Sequence, residues 1–180
     1  MHEGDGIVRG SHVLLVMVSL GLGGLACKLI HEVGHASTAW ALGGRIEGVH
    51  LAVPSKPGFF RIDYRPPDGG WRRGLTDLMG AGATTLVAYG LVAALFVQGP
   101  PPWVRWAVLP AAVLCAWDMF LYATLPLLGL RRFVVFGGRH AEPVEGALEV
   151  GIPRWLFLSS LFLSFVVFHG LVLLVWRQPR

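Results

Sequence analysis

Charge is what this sequence has least of. Asp, Glu, Lys and Arg make up 14% of its 180 residues, where soluble domains carry ~25%. Cysteine is scarce as well. Cys27 and Cys115 both lie in apolar stretches, so no disulfide framework is indicated and two buried free thiols are expected. The basic residues, nearly all Arg, form no stripe with interleaved aromatics, which leaves a nucleic-acid partner without support. No internal repeat is present. The long apolar runs carry few polar side chains, unlike a transport pathway, which needs polar groups along its length.

What is abundant is apolar: 54% of the residues, punctuated by 24 Gly and 12 Pro. A soluble domain of this length cannot bury so much apolar surface. The chain is therefore read as an α-helical integral membrane protein, a single domain over 1–180. About four transmembrane helices are expected, at 12–42, 75–97, 103–130 and 155–176. The stretch from Val13 to Ala26 before Cys27 has the outline of a secretory segment ending at a lipid-modified cysteine. Gly24 stands where such a box prefers an aliphatic residue, and the apolar pattern continues to Leu42, so it is read as the first membrane helix. That run exceeds the ~20 residues needed to span a bilayer; tilt, extension past the membrane or a bend near Gly21, Gly23 and Gly24 would accommodate it. Pro100, Pro101 and Pro102 force a turn, Pro110 and Pro126 are candidate kinks, and Trp155 and Trp176 flank the last span as interfacial anchors would.

Between the first two spans the period changes from helical to two. Val49, Leu51 and Val53 alternate with polar or small residues. After Pro54–Gly58, Phe60, Ile62 and Tyr64 alternate with Arg61, Asp63 and Arg65. A small membrane-associated β-hairpin over 46–65 is expected. Residues 139–151, with Glu142, Glu145 and Glu149, read as a short surface helix ended by Gly151 and Pro153. The hairpin loop carries Arg45, Lys56, Arg61, Arg65, Arg72 and Arg73, and the later loop Arg131, Arg132, Arg139 and Arg154. The other side carries Arg9, Arg105, Arg177 and Arg180. The positive-inside rule then puts hairpin and acidic helix in the cytoplasm and both termini outside. The Arg, Ala and Gly usage suggests a bacterial source, hence a plasma (inner) membrane.

Against this apolar background His31, Glu32 and His35 spell H-E-x-x-H. On a helix, positions i and i+4 share a face, so two imidazoles can hold one tetrahedral metal ion. The Glu between them is placed to take a proton from water that the ion polarises. Ionisable side chains are costly inside a membrane and are functional candidates by default. A hydrogen-bonded membrane His, or a Lys28–Glu32 i,i+4 ion pair, accounts for one or two of these residues but not for the set.

A third ligand must come from another helix. Cys27 shares the face, but i, i+4 and i+8 rise ~12 Å along the axis and cannot converge on one ion. His31 and His35 stand twelve and eight residues before Gly43, and Asp118 stands twelve before Leu130. All three are thus expected ~12–18 Å from one interface. Asp118 is the candidate third ligand, with His169 in reserve. A buried aspartate paired to Arg105 or bonded to Tyr122 is the plainer alternative.

The stretch His31-Glu32-Val33-Gly34-His35-Ala36, continuing through Leu42-Gly43-Gly44-Arg45-Ile46, resembles the site-2 protease family of intramembrane zinc metalloproteases. In that family an H-E-x-x-H helix is followed by a Gly-rich exit and a membrane-associated hairpin. The resemblance implies Zn2+ held by His31, His35 and Asp118, Glu32 as general base, and a membrane-protein substrate. The family's carboxylate often precedes Gly; here it stands in Trp117-Asp118-Met119. Pro66-Pro67-Asp68-Gly69-Gly70 precedes the second span, so Asp68 is read as a turn residue. Gly80-Ala81-Gly82-Ala83-Thr84 lacks the family's Pro and Asn, leaving Thr84 or Thr85 to orient substrate. The strand over 59–65 is a candidate edge for an extended substrate. A catalytically silent relative acting as a membrane binding or regulatory module, and a metal-handling membrane protein, are the rival readings.

Overall fold

The computed structural model describes residues 3–51, 60–130 and 141–178. In order these form α1 (Glu3–Ala41), β1 (Arg45–His50), β2 (Arg61–Arg65), α2 (Gly70–Gln98), α3 (Pro102–Thr124), α4 (Glu142–Glu149) and α5 (Arg154–Arg177). Four helices among the described residues are long and apolar enough to cross a membrane: Val13–Ala41, Gly70–Gln98, Pro102–Thr124 and Arg154–Arg177. The chain is an α-helical membrane protein with a small two-stranded sheet after its first helix.

The ends of the helices differ from hydropathy in three places, the first being α1, which begins at Glu3 and not at 12. α2 starts at Gly70, ahead of the apolar run, because Trp71, Arg72 and Arg73 extend the helix through a polar first turn. α3 stops at Thr124, not at 130. Pro126 follows, and the Leu130 amide then closes back on the Leu125 carbonyl with Gly129 at φ 74°. The glycines near the middle of α1 and Pro110 in α3 leave each as one helix. The expected turn at 54–58 and residue 139 lie outside the described residues.

α1, α2 and α3 pack on one another and carry the site. α1 meets α3 along a row of small residues spaced by four. Ser19 donates to the Ala107 carbonyl; a Cβ on Gly23 would lie 2.7 Å from the Ala111 Cβ; Cys27 and Cys115 share one buried cluster as free thiols. One step further His31 meets Asp118. Numbers rise together along both helices, so α1 and α3 run parallel. α5 lies at the periphery, burying Phe168 and Val175 while Leu163, Val166, Leu173 and Leu174 face outward, as a lipid-facing helix does.

Arg105 sits at the end of the bundle away from His31. Its buried guanidinium donates to the Pro100 carbonyl at 3.0 Å, to Val175 at 3.3 Å and to Gln178 at 2.9 Å. Arg105 therefore satisfies the carbonyls that end α5 and is not the partner of Asp118. Arg105→Ala is expected to cost about 3 kcal/mol, the scale of losing charge-assisted bonds to buried acceptors. Thermal unfolding in detergent should show a lowered midpoint with metal content unchanged; an unaltered midpoint would remove this role.

Antiparallel β1 and β2 pair Arg45 with Arg65, Ile46 with Tyr64, Val49 with Ile62 and His50 with Arg61, with a bulge between Ile46 and Gly48. α1 hands the chain over to β1 through Gly43, whose φ of 97° suits glycine alone. Phe60 and Ile62 then pack on Ala36, laying β2 across the H-E-x-x-H turn of α1.

Candidate metal centre

His31 and His35 project from α1 into the core, 1% and 4% exposed. Their ring centroids are 4.8 Å apart and nearly perpendicular, with the two Nε2 atoms 3.1 Å apart. Each Nδ1 faces an acceptor. His31 Nδ1 lies 2.7 Å from Asp118 Oδ2, and His35 Nδ1 lies 2.7 Å from the Thr76 carbonyl oxygen on α2. A carboxylate and a carbonyl can only accept, so the Nδ1 protons are committed to them. Two neutral rings would then turn their Nε2 lone pairs on each other, and a proton on either Nε2 would make the 3.1 Å contact a hydrogen bond.

α2 comes this close because of missing side chains. A Cβ on Gly34, between the two histidines, would fall on the Met79 carbonyl and 2.7 Å from the Ala83 Cβ. A Cβ on Gly80 would meet the His35 ring, 2.5 Å from Cδ2 and Cε1 and closer still to Nε2. The imidazole of His35 thus occupies the place of a side chain at position 80. Tyr64 of β2 closes the other side, its ring stacked on His35 at 5.9 Å. Burial, helped by the negative charges of Asp77, Glu142 and Glu32, pushes the Tyr64 phenol up from its usual value, keeping it neutral.

Glu32 lies beside this pair. One carboxylate oxygen pairs with Lys28 one turn back, and Oε2 accepts the Ile62 amide of β2 at 3.2 Å. Ile62 therefore turns its N–H away from β1, and the free edge of β2 faces α1.

The carboxylates fall on different sides of the histidines. Asp118, the expected third ligand, is buried against His31 and sits on Nδ1, the nitrogen turned away from His35. Thr84 Oγ1 lies 2.9 Å from the same Oδ2 and 2.8 Å from the Ala81 carbonyl. Thr84 is fully buried against Asp118, and Thr85 bonds the Ala81 carbonyl, so both hydroxyls are occupied. On the Nε2 side stands Glu142 of α4, its Oε2 3.5 Å from His35 Nε2. One ligand atom from each of His31, His35 and Glu142 lies within 4.8 Å of the other two, a spacing that suits one cation.

Glu142 was not singled out from the sequence, where the acidic spacing of its segment looks like a solvated face. The clue was Gly146, since glycine inside a short helix is costly unless something approaches closely. α4 docks through it: a Cβ on Gly146 would lie 2.5 Å from the Gly74 carbonyl, and one on Gly74 2.6 Å from the Gly146 carbonyl. His169 does not join the His31, His35 and Glu142 group. It accepts the Trp117 indole N–H at 3.1 Å on Nε2, and its Nδ1 lies 2.8 Å from the Phe165 carbonyl, which satisfies a neutral ring. Asp68 lies exposed between β2 and α2.

No protein-family model matches the chain, and no curated protein or solved structure matches it either.

Proposed function

We propose that the chain is an intramembrane zinc metallopeptidase that hydrolyses peptide bonds of membrane-embedded protein substrates. It resembles the site-2 protease family through His31, Glu32, His35 and the Gly43-Gly44 exit into a hairpin. One observation carries the reading: two buried imidazoles whose Nε2 atoms converge at 3.1 Å with both Nδ1 atoms facing acceptors. Two neutral rings so opposed repel unless a cation, a proton or a metal ion, lies between them. Charge points the same way. Three carboxylic groups, Glu32, Asp118 and Glu142, stand around the pair against one amine, Lys28, an acidic excess that a divalent ion would match in a place where net charge is expensive.

Zinc bound there supplies Lewis-acid polarisation of water and of the scissile carbonyl. His31 and His35 hold it. Glu32 accepts the proton that water gives up and passes it to the leaving amine. Lys28, one turn back, holds one Glu32 oxygen and aims the carboxylate. A transmembrane substrate must unwind before its amides are accessible, and the β2 edge that faces α1 is where an extended segment can pair. Ile62 N–H is already held by Glu32, so pairing there competes for that amide and frees the base. Placement in a bacterial plasma membrane, with the hairpin cytoplasmic and both termini outside, follows the loop charges.

The engagement of both Glu32 oxygens favours one rival, a silent module in which Glu32 merely anchors β2. Mapping new N-termini in membranes of cells producing the wild type or the His31→Ala, His35→Ala double variant separates the two. Cuts inside apolar spans, found with the wild type alone, are expected. Stoichiometric zinc without any such cut would refute the peptidase.

A further inference from the structure

We infer that Glu142 of α4 is the third protein ligand of the metal and that Asp118 stands outside the coordination sphere, orienting His31. The inference rests on the metal-site reading above and changes its ligand set. Zn–N and Zn–O bonds of 2.0–2.2 Å in a tetrahedron set neighbouring ligand atoms about 3.3 Å apart. The Nε2–Nε2 separation of 3.1 Å and the His35 Nε2–Glu142 Oε2 separation of 3.5 Å bracket that value; one ligand atom from each of the three residues lies within 4.8 Å of the others, so the His31–Glu142 side of the triangle has room to close as an ion binds.

Asp118 cannot join this set. It is 2.7 Å from His31 Nδ1, and the two nitrogens of an imidazole direct their bonds to opposite sides of Cε1. An ion on Nε2 is therefore out of reach of a carboxylate on Nδ1. What Asp118 does have is the position of the outer carboxylate in a carboxylate–histidine–metal relay, which fixes the tautomer and raises the basicity of the ligand. Thr84 Oγ1 donates to the same oxygen at 2.9 Å.

Glu142 is delivered rigidly enough to serve. Pro143 stiffens the first turn of α4, Val144 and Ala147 are buried, and Ala141 and Val144 pack with Ala123 against Phe157, Leu158 and Leu161. The backbone contact at Gly74 and Gly146 fixes the height of α4 on α2. Glu142 Oε2 already faces His35 Nε2 at 3.5 Å.

The test is a Co2+ titration of the purified full chain in detergent, read by visible d–d absorption and by Zn2+ competition. With the wild type, one ion and a tetrahedral spectrum are expected. Glu142→Gln should lose the tetrahedral band and weaken binding by more than the ~10–100-fold typical of losing an outer partner. Asp118→Asn should keep the band shape and weaken binding within that range. If Glu142→Gln matches the wild type, or Asp118→Asn alone abolishes the band, the assignment is overturned while the metal site survives. If the wild type binds neither ion, the metal reading falls and takes this one with it.

Discussion

Glu32→Gln should leave the metal in place and slow peptide-bond cleavage by about 10²–10⁴-fold, the contribution of a positioned general base. The substitution preserves shape. A glutamine oxygen still accepts the Ile62 amide, so β2 stays docked on α1, and Lys28 retains a polar neighbour. His31 and His35 keep their partners Asp118 and Thr76. Only proton acceptance is removed. Zinc content measured on the same preparation therefore stays at the wild-type level while cuts within apolar spans disappear. Equal cleavage by wild type and Glu32→Gln would assign Glu32 to the anchoring of β2 through Ile62 and end its role as a base.

The architecture was legible because a membrane leaves few options. Backbone groups in hydrocarbon must be satisfied internally, so each long apolar run becomes a helix, and the switch to period two at Phe60, Ile62 and Tyr64 marks a strand. Hydropathy sees only the apolar part of a helix, which is why the start of α2 at Gly70 was missed. The stop of α3 at Thr124 depends on Pro126, a residue the sequence offered as a kink and the fold uses as an end.

The meeting of His31 with Asp118 was legible for a partly different reason from the one supplied by counting. Equal distances from Gly43 and Leu130 assumed a helix that runs to 130, and α3 ends six residues earlier. The match arises instead from the row Ser19, Gly23, Cys27 and His31 climbing beside Ala107, Ala111, Cys115 and Asp118. Small residues at four-residue spacing on both helices carry that information. Which nitrogen of His31 Asp118 meets is set by ring orientation, which spacing cannot encode. Glu142 depends on tertiary docking of α4, and its own sequence looks like a solvated face.

Gly80→Ala should abolish metal binding while sparing the fold, and Gly34→Ala should do damage of a different kind. At position 80 the added carbon meets the imidazole of His35, the far end of a side chain that can rotate away. Rotation breaks the Nδ1 bond to Thr76 and removes Nε2 from its place opposite His31. The helices need not move, so helicity and thermal midpoint stay close to wild type while zinc is lost. At position 34 the added carbon falls on the Met79 carbonyl and on Ala83, which are backbone and a short side chain of α2 and cannot turn aside. Overpacking of this kind costs about 1–3 kcal/mol or more, since α1 and α2 must separate, and the thermal midpoint falls together with zinc content. Gly90→Ala, with open space around its position, is the control for both. Metal analysis and thermal unfolding of the three variants in detergent read the two effects separately. Full zinc occupancy in Gly80→Ala would show that His35 does not hold the metal from the position the fold gives it.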